Sequence, residues 1–237
     1  MKLTIDDPRI LRGMALQLGR RRDRLNAGEQ PLGWKVGFGA PAAMKKFGIT
    51  APLVGFLTNH ALVDSGAVIS LADWKQPVAE PEIAVHMGRN LSAGADRDTV
   101  KAAIAGIGPA IELADVDHPP EDVEQVLAGN IYQRRVILGP CDISRAGGVV
   151  DGLHGRVMRN GSAFADTSEP QALTGELIGI VSHVADTLAA FGHTLRAGQI
   201  IITGSIVPPL RVEAGEEIVF KLDPVGGVAI RFAVKKP

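Results

Sequence analysis

The chain has 237 residues, 46% hydrophobic but only 4% aromatic, and 25 Lys+Arg against 26 Asp+Glu give a formal net charge of −1. That size supports one sizeable aliphatic core, and the balanced charge excludes a basic field for non-specific nucleic-acid binding. Cys141 is the single cysteine, which excludes an intrachain disulfide; a reducing cytoplasm is expected, with no apolar run of membrane-spanning length and no signal-peptide core in Met1–Asp7.

Asp7-Pro8 reads as a helix start, an N-cap followed by proline in the first turn. Ile10, Leu11, Met14, Leu18 and Leu25 carry an amphipathic helix to about Asn26, within an N-terminal helical segment of about residues 7–28. Arg20-Arg21-Arg22, with Asp23 behind it, reads as a solvated face of that helix. Gly33 to Gly39 is a short glycine-flanked strand carrying Lys35, and Pro41 to Phe47 suits a helix. Pro52 to Ser70 reads as loops and short strands.

The run Glu80-Pro81-Glu82-Ile83-Ala84-Val85-His86-Met87 then reads as a half-buried strand. Side chains alternate faces along a strand. Pro81, Ile83, Val85 and Met87 form an apolar set, and Glu80, Glu82, Ala84 and His86 take the other face. Two carboxylates thus share a face about 7 Å apart along the backbone. Carboxylates held near apolar surface need a partner, and one cation can serve both; the same pattern also fits glutamates on the solvated side of a strand. Ala110-Ile111-Glu112-Leu113-Ala114 sets a third carboxylate between two alanines. Three carboxylates without cysteine or clearly spaced histidine make an all-oxygen set suited to Mg²⁺ or Mn²⁺ rather than Zn²⁺.

Asp98 to Gly106 reads as an alanine-rich helix between the two carboxylate strands, and Pro119-Pro120-Glu121-Asp122 opens another that ends near Gly129. Val136 to Leu138 is a strand, and Arg156 to Phe164 is a hairpin on its Asn-Gly turn. Glu169-Pro170 starts what reads as the longest helix, with Leu173, Leu177, Ile180, Val181, Val184, Leu188 and Phe191 at helical spacing and Gly192 as its stop. Gln199–Thr203, Ile218–Phe220 and Val228–Val234 complete the strands. Short strands with separated helices argue an α+β fold in one domain. His86 shares the carboxylate face, as a base or as a hydrogen-bonded structural histidine. The other histidines carry no assignment, and Cys141 reads as structural.

Four blocks occur in order: Gly33-Trp34-Lys35-Val36-Gly37, Glu80-Pro81-Glu82-Ile83-Ala84, Pro109-Ala110-Ile111-Glu112, and Thr203-Gly204-Ser205 followed by Val212-Glu213-Ala214-Gly215-Glu216. From about Leu32 to Phe232 the chain resembles the 2-keto-4-pentenoate hydratase branch of the fumarylacetoacetate hydrolase superfamily. The resemblance implies one catalytic domain over residues 1–237, a mixed β-roll or barrel with flanking helices. It implies Mg²⁺ or Mn²⁺ held by Glu80, Glu82 and Glu112, catalytic roles for Lys35 and Glu82, and substrate contacts from Lys35, Asn130, Thr203, Gly204 and Ser205. The expected reaction is metal-assisted hydration of a 2-hydroxyalka-2,4-dienoate to a 4-hydroxy-2-oxoalkanoate, as in the catabolism of aromatic compounds. Decarboxylation of a vinylogous 2-oxo acid, C–C hydrolysis of an acylpyruvate and a catalytically silent subunit are the alternatives. A homo-oligomer is expected, as is a complex with a pathway enzyme.

One segment departs from the family pattern. Where hydratases carry Ala-Asp-Asn and then small residues, this chain has Ala128-Gly129-Asn130-Ile131-Tyr132-Gln133-Arg134-Arg135. Asn130 matches, the acidic position is Gly129, and Arg134 or Arg135 reads either as a clamp for an extra carboxylate or as a surface residue.

Overall fold

The computed structural model of the protein describes residues 6–233. In chain order its elements are α1 (Pro8–Asn26), β1 (Pro31–Gly37), α2 (Pro41–Phe47), β2 (Leu53–Thr58), β3 (Leu62–Val63), β4 (Val68–Ile69) and β5 (Pro77–Met87). Then come α3 (Arg97–Ala103), β6 (Ile104–Asp115), α4 (Val123–Ala128), β7 (Gln133–Leu138), β8 (His154–Arg159) and β9 (Ser162–Thr167). The chain closes with α5 (Leu177–Ala190), β10 (Ile200–Ser205), β11 (Leu210–Arg211), β12 (Glu217–Asp223) and β13 (Gly226–Phe232). The expected end of the last strand at Val234, and the reading of Met1–Ile5, lie outside the described residues.

One sheet runs β2-β1-β10-β5-β6-β7-β3, with β11 added to β5; the other runs β4-β13-β12-β8-β9. The first is mixed, parallel at β1/β10 and β3/β7 and antiparallel at its other pairings. This is the mixed α+β roll expected from the sequence. The long β5/β6 ladder is its spine, and alternation sets its faces. Ile83, Val85 and Met87 on β5 join Ile107, Ile111 and Leu113 on β6 in the principal core, under α5 and against the second sheet. The opposite face packs Ala84 and Ala110 with Ile202 in a smaller cluster. No helix among the described residues is long and apolar enough to cross a membrane.

Several boundaries differ from the sequence reading, each for a local reason. In α1 the Asp7 side chain accepts from the Arg9 N–H as expected, but Leu11 is exposed while Gly13 and Gln17 are buried. Gln17 donates to the carbonyls of both Val54 and Leu127, so a polar residue anchors the helix to β2 and α4. Arg21 is not a purely solvated residue: its guanidinium lies 4.9 Å over the Trp34 ring. The α3 helix ends at Ala103, because residues 104–106 are drawn into β6 opposite the end of β5. Pro119-Pro120 stays outside α4, which starts at the Asp122 cap. The residues from Glu169 to Gly175 do not join α5; Gln171 instead reaches forward and accepts from the Leu177 N–H. With 14 residues α5 is therefore shorter than α1, which has 19. The Asn160-Gly161 hairpin forms as read, joining β8 to β9.

The parallel β1/β10 contact is tight enough to demand glycine. A Cβ on Gly33 would lie 2.0 Å from the Ile200 carbonyl oxygen, a backbone atom that cannot step aside. Gly33→Ala should therefore destabilise the protein by about 1–3 kcal/mol or more, read as a lower urea midpoint; an unchanged midpoint would show that β1 can slide on β10.

Candidate metal centre

The β5/β6 register places Glu80 directly opposite Glu112, with Glu82 two residues along the same face of β5. One carboxylate oxygen from each of the three lies within 4.8 Å of the others. Glu82 and Glu112 are buried and Glu80 is half-buried. Burial pushes the proton affinity of all three upward. For Glu82 the charges of Glu112 and Glu80 push further, well above the usual range. Glu112 rises from 4.5 to about 7, chiefly through burial, against the opposing pull of Lys35. Its second oxygen, Oε2, is buried with no hydrogen-bond partner. A tight, oxygen-only cluster with a surplus of negative charge and an orphaned acceptor fits a hard divalent cation such as Mg²⁺ or Mn²⁺.

Lys35 reaches the cluster from β1. In sheet order β1 is three strands from β6, roughly 14 Å if the sheet were flat. Yet the Lys35 ammonium donates to Glu112 Oε1 at 2.5 Å and to the Ile131 carbonyl at 3.0 Å. The sheet must curl to bring these together, and Lys35 is left 2% exposed. Gly55, opposite Lys35 on β2, makes room for the stem: a Cβ there would sit 2.8 Å from Lys35 Cγ.

The Ile131 carbonyl is presented by an unusual backbone. Asn130, Ile131 and Tyr132 all have positive φ, 61°, 53° and 62°, a conformation that costs non-glycine residues energy. Asn130 holds it in place, its side-chain amide accepting from the Phe56 N–H and donating to the Phe56 carbonyl. The amide thus pairs with β2 through both of its ends, and Asn130 is not among the residues that line the cavity above the carboxylates.

The Thr203-Gly204-Ser205 turn borders the cavity, but its polar groups are also engaged. Thr203 donates to the Ile83 carbonyl and Ser205 to that of Val207, while the Gly204 N–H donates to Glu82 Oε2 at 2.7 Å. Through the Gly204 N–H the turn also holds Glu82. His86 lies toward the far end of β5, opposite Gly106 and Ile200. Its Nε2 is buried without a hydrogen-bond partner, and burial lowers its proton affinity. The arginine clamp is likewise absent. Arg134 stacks 4.9 Å over Trp74 and Arg135 donates to the His60 carbonyl, both away from the cavity. Cys141, read as structural, is exposed.

Above the carboxylates opens a cavity of about 500 Å³. Its walls, missed in the sequence, include Phe38, Phe47, Val116, Tyr132, Leu173 and Val207. Phe38 and Phe47 meet edge to face with centroids 5.1 Å apart. The Tyr132 hydroxyl donates to the His118 carbonyl, so its polar end has a partner in the protein. A sequence signal existed for Phe38, which sits between Gly37 and Gly39. Leu173 was hidden by its apparent place in a helix. Among the described residues no histidine and no arginine lines this cavity.

A family model described as "Fumarylacetoacetate (FAA) hydrolase C-terminal" matches residues 34–233. The chain is 28% identical to a 2-hydroxyhexa-2,4-dienoate hydratase of Comamonas testosteroni, over 92% of this chain and 84% of that one. It is 29% identical to a 4-oxalocrotonate decarboxylase of Pseudomonas putida, over 98% and 89%. The solved 4-oxalocrotonate decarboxylase from Pseudomonas putida G7, complexed with magnesium and adipate, superposes with a TM-score of 0.87 at 27% identity, covering 94% of this chain and 86% of that one.

The raised carboxyl groups make a linkage prediction. A group whose folded proton affinity is raised stabilises the fold below its unfolded value and loses that contribution as pH rises through the folded one. For Glu112 that window runs from 4.5 to about 7. Added Mg²⁺ should therefore raise the melting temperature of chelator-treated protein much more at about pH 8 than at about pH 5. Calorimetric scans with and without Mg²⁺ test this, and an equal or absent effect at both pH values would count against the centre.

Proposed function

The chain belongs to the fumarylacetoacetate hydrolase family, and from that premise we propose that it is a divalent-metal-dependent hydratase, which adds water to a 2-hydroxyalka-2,4-dienoate to give a 4-hydroxy-2-oxoalkanoate in the breakdown of aromatic compounds. The observation that carries this reading is the trio of carboxylates beside a buried lysine at the foot of an apolar cavity. The hydratase relative and the magnesium complex of a structural neighbour support it.

In this reading Glu80, Glu82 and Glu112 hold the metal. When bound, the ion supplies Lewis acidity for negative charge that develops on the 2-oxygen of the substrate. The net chemistry adds one water: the dienol becomes the ketone by protonation at C5, then hydroxyl adds at C4 and a proton at C3. Lys35 carries three N–H donors. Two are engaged by Glu112 and Ile131, which leaves the third for a substrate oxygen. Its charge lies where an enolate forms, and its buried, fixed position needs no reorganisation during the reaction. Glu112 compensates the ammonium, and Gly204 fixes Glu82 through its N–H. The apolar walls exclude bulk water from the remainder of the substrate.

Decarboxylation of a vinylogous 2-oxo acid is the second reading, supported by the likeness to the two decarboxylases. Hydrolysis of an acylpyruvate is less well served, because it calls for a base to activate water and no histidine lines the cavity among the described residues. The retained carboxylate trio argues against a silent subunit. A cytoplasmic location, a homo-oligomer and a complex with another enzyme of the same pathway complete the reading; exposed Val68 and Phe164 on the second sheet support a face that self-associates.

The test is turnover of 2-hydroxypenta-2,4-dienoate by metal-stripped protein resupplied with Mg²⁺ or Mn²⁺, with products identified by mass. Metal-dependent gain of one water is expected; loss of CO₂ would move the assignment to the second reading. Glu82→Gln should abolish the metal-dependent rate with the circular dichroism spectrum unchanged, and undiminished turnover would sink the assignment. Lys35→Met should lower kcat by about 10²–10³, and a loss confined to KM would give Lys35 a purely binding role.

A further inference from the structure

We infer that the protein binds a small oxyanion, a phosphate or a carboxylate, between Arg21 and His193, on the reverse face of the strand that carries Lys35. Side chains alternate along β1, so Lys35 reaches the carboxylate cluster and Trp34 turns to the other side, where its ring is buried. The Arg21 guanidinium, from α1, lies 4.9 Å over that ring. The His193 ring, from the connection between α5 and β10, lies 6.4 Å from it, centroid to centroid. Neither Arg21 nor His193 lines the cavity above the metal-binding carboxylates.

Both side chains are half-buried, and neither has a polar partner among the described residues. Arg9, Arg12, Arg97, Arg156, Arg159 and Arg231 each sit beside a carboxylate. Arg21 does not, and its Nε is buried without a hydrogen-bond partner. Burial lowers its proton affinity, and no neighbouring acid restores it. The indole face attracts the charge but gives the N–H fork no oxygen to bond. A half-buried donor without an acceptor is costly, and a guanidinium fork fits two oxygens of one anion. Burial, and then the charge of Arg21, lowers the proton affinity of His193, so the two groups are near enough to share a ligand. An oxyanion seated there accepts from the Arg21 fork and from a ring N–H of His193. The surrounding field favours it: Arg24 stacks 5.5 Å over Phe56, the β2 neighbour of Trp34, with no carboxylate beside it among the described residues.

The test is titration of the Mg²⁺-loaded protein with inorganic phosphate, and separately with acetate, at constant ionic strength. The ring C–H resonance of His193, assigned through His193→Gln, reports on the site itself and not on anion bound at the metal. A saturable shift is expected, and the tighter of the two anions separates a phosphate source from a carboxylate one. Arg21→Gln should weaken that binding about tenfold or more. Arg21→Lys keeps a charge over Trp34 and loses the fork, and should weaken it at least about fivefold. A shift that never saturates with either anion would overturn the inference. So would saturation with the same midpoint in Arg21→Gln or Arg21→Lys, which would mark a general ionic effect.

Discussion

The ion pair between Lys35 and Glu112 is the constraint around which the site is organised. Two charges removed from water are costly, and their attraction repays that cost only when geometry is good and the remaining donors find partners. Here one partner comes from β1 and the other from β6, so the pair exists only if the mixed sheet curls. The requirements spread outward from it. Gly55 must lack a side chain beside the lysine stem. The Ile131 carbonyl accepts a second lysine N–H, and it is presented by three consecutive residues in the left-handed region. Asn130 must then clasp β2 to keep them there.

The same pair sets the electrostatics. Three carboxylates converge, and one ammonium answers them. Burial, reinforced at Glu82 and Glu112 by neighbouring carboxylates, raises the proton affinity of the cluster, and the charge imbalance makes it receptive to a dication. Hydrogen bonds from Lys35 and Gly204 each engage one carboxylate oxygen, on Glu112 and Glu82 respectively. Shape and charge are therefore coupled: the curl that buries the lysine also gathers the oxygens.

Much of this was legible in the chain. Strand alternation alone put Glu80 and Glu82 on one face, and the alanines around Glu112 announced its strand. The cross-strand pairing of Glu80 with Glu112 was not legible, because register depends on the whole ladder. Lys35 left two readings open in the sequence, since a glycine-flanked strand suits a solvated lysine as well as a buried one; the curl of the sheet decides it. That the side chains of Asn130, Thr203 and Ser205 bond to backbone groups of other segments was not legible either, because those partners are brought near only by the fold. Apolar wall residues such as Phe38 and Leu173 gave little signal, because a hydrophobic side chain reads the same whether it packs in a core or faces a ligand. Helix limits at Ala103 and Leu177 failed where tertiary pairing and a side-chain cap outweighed local periodicity.

The metal-facing groups stand on hydrogen-bonded strands, whereas the cavity walls come from segments between them: Phe38 and α2 after β1, Val116 to Tyr132 between β6 and β7, and Leu173 before α5. Loops accept insertion and replacement far more readily than ladders do. A lineage built on this architecture can exchange its substrate by drift in the cavity-facing positions of three connecting segments while inheriting the reactive centre intact. Descendants that share every charged residue of the floor can thus differ in diet.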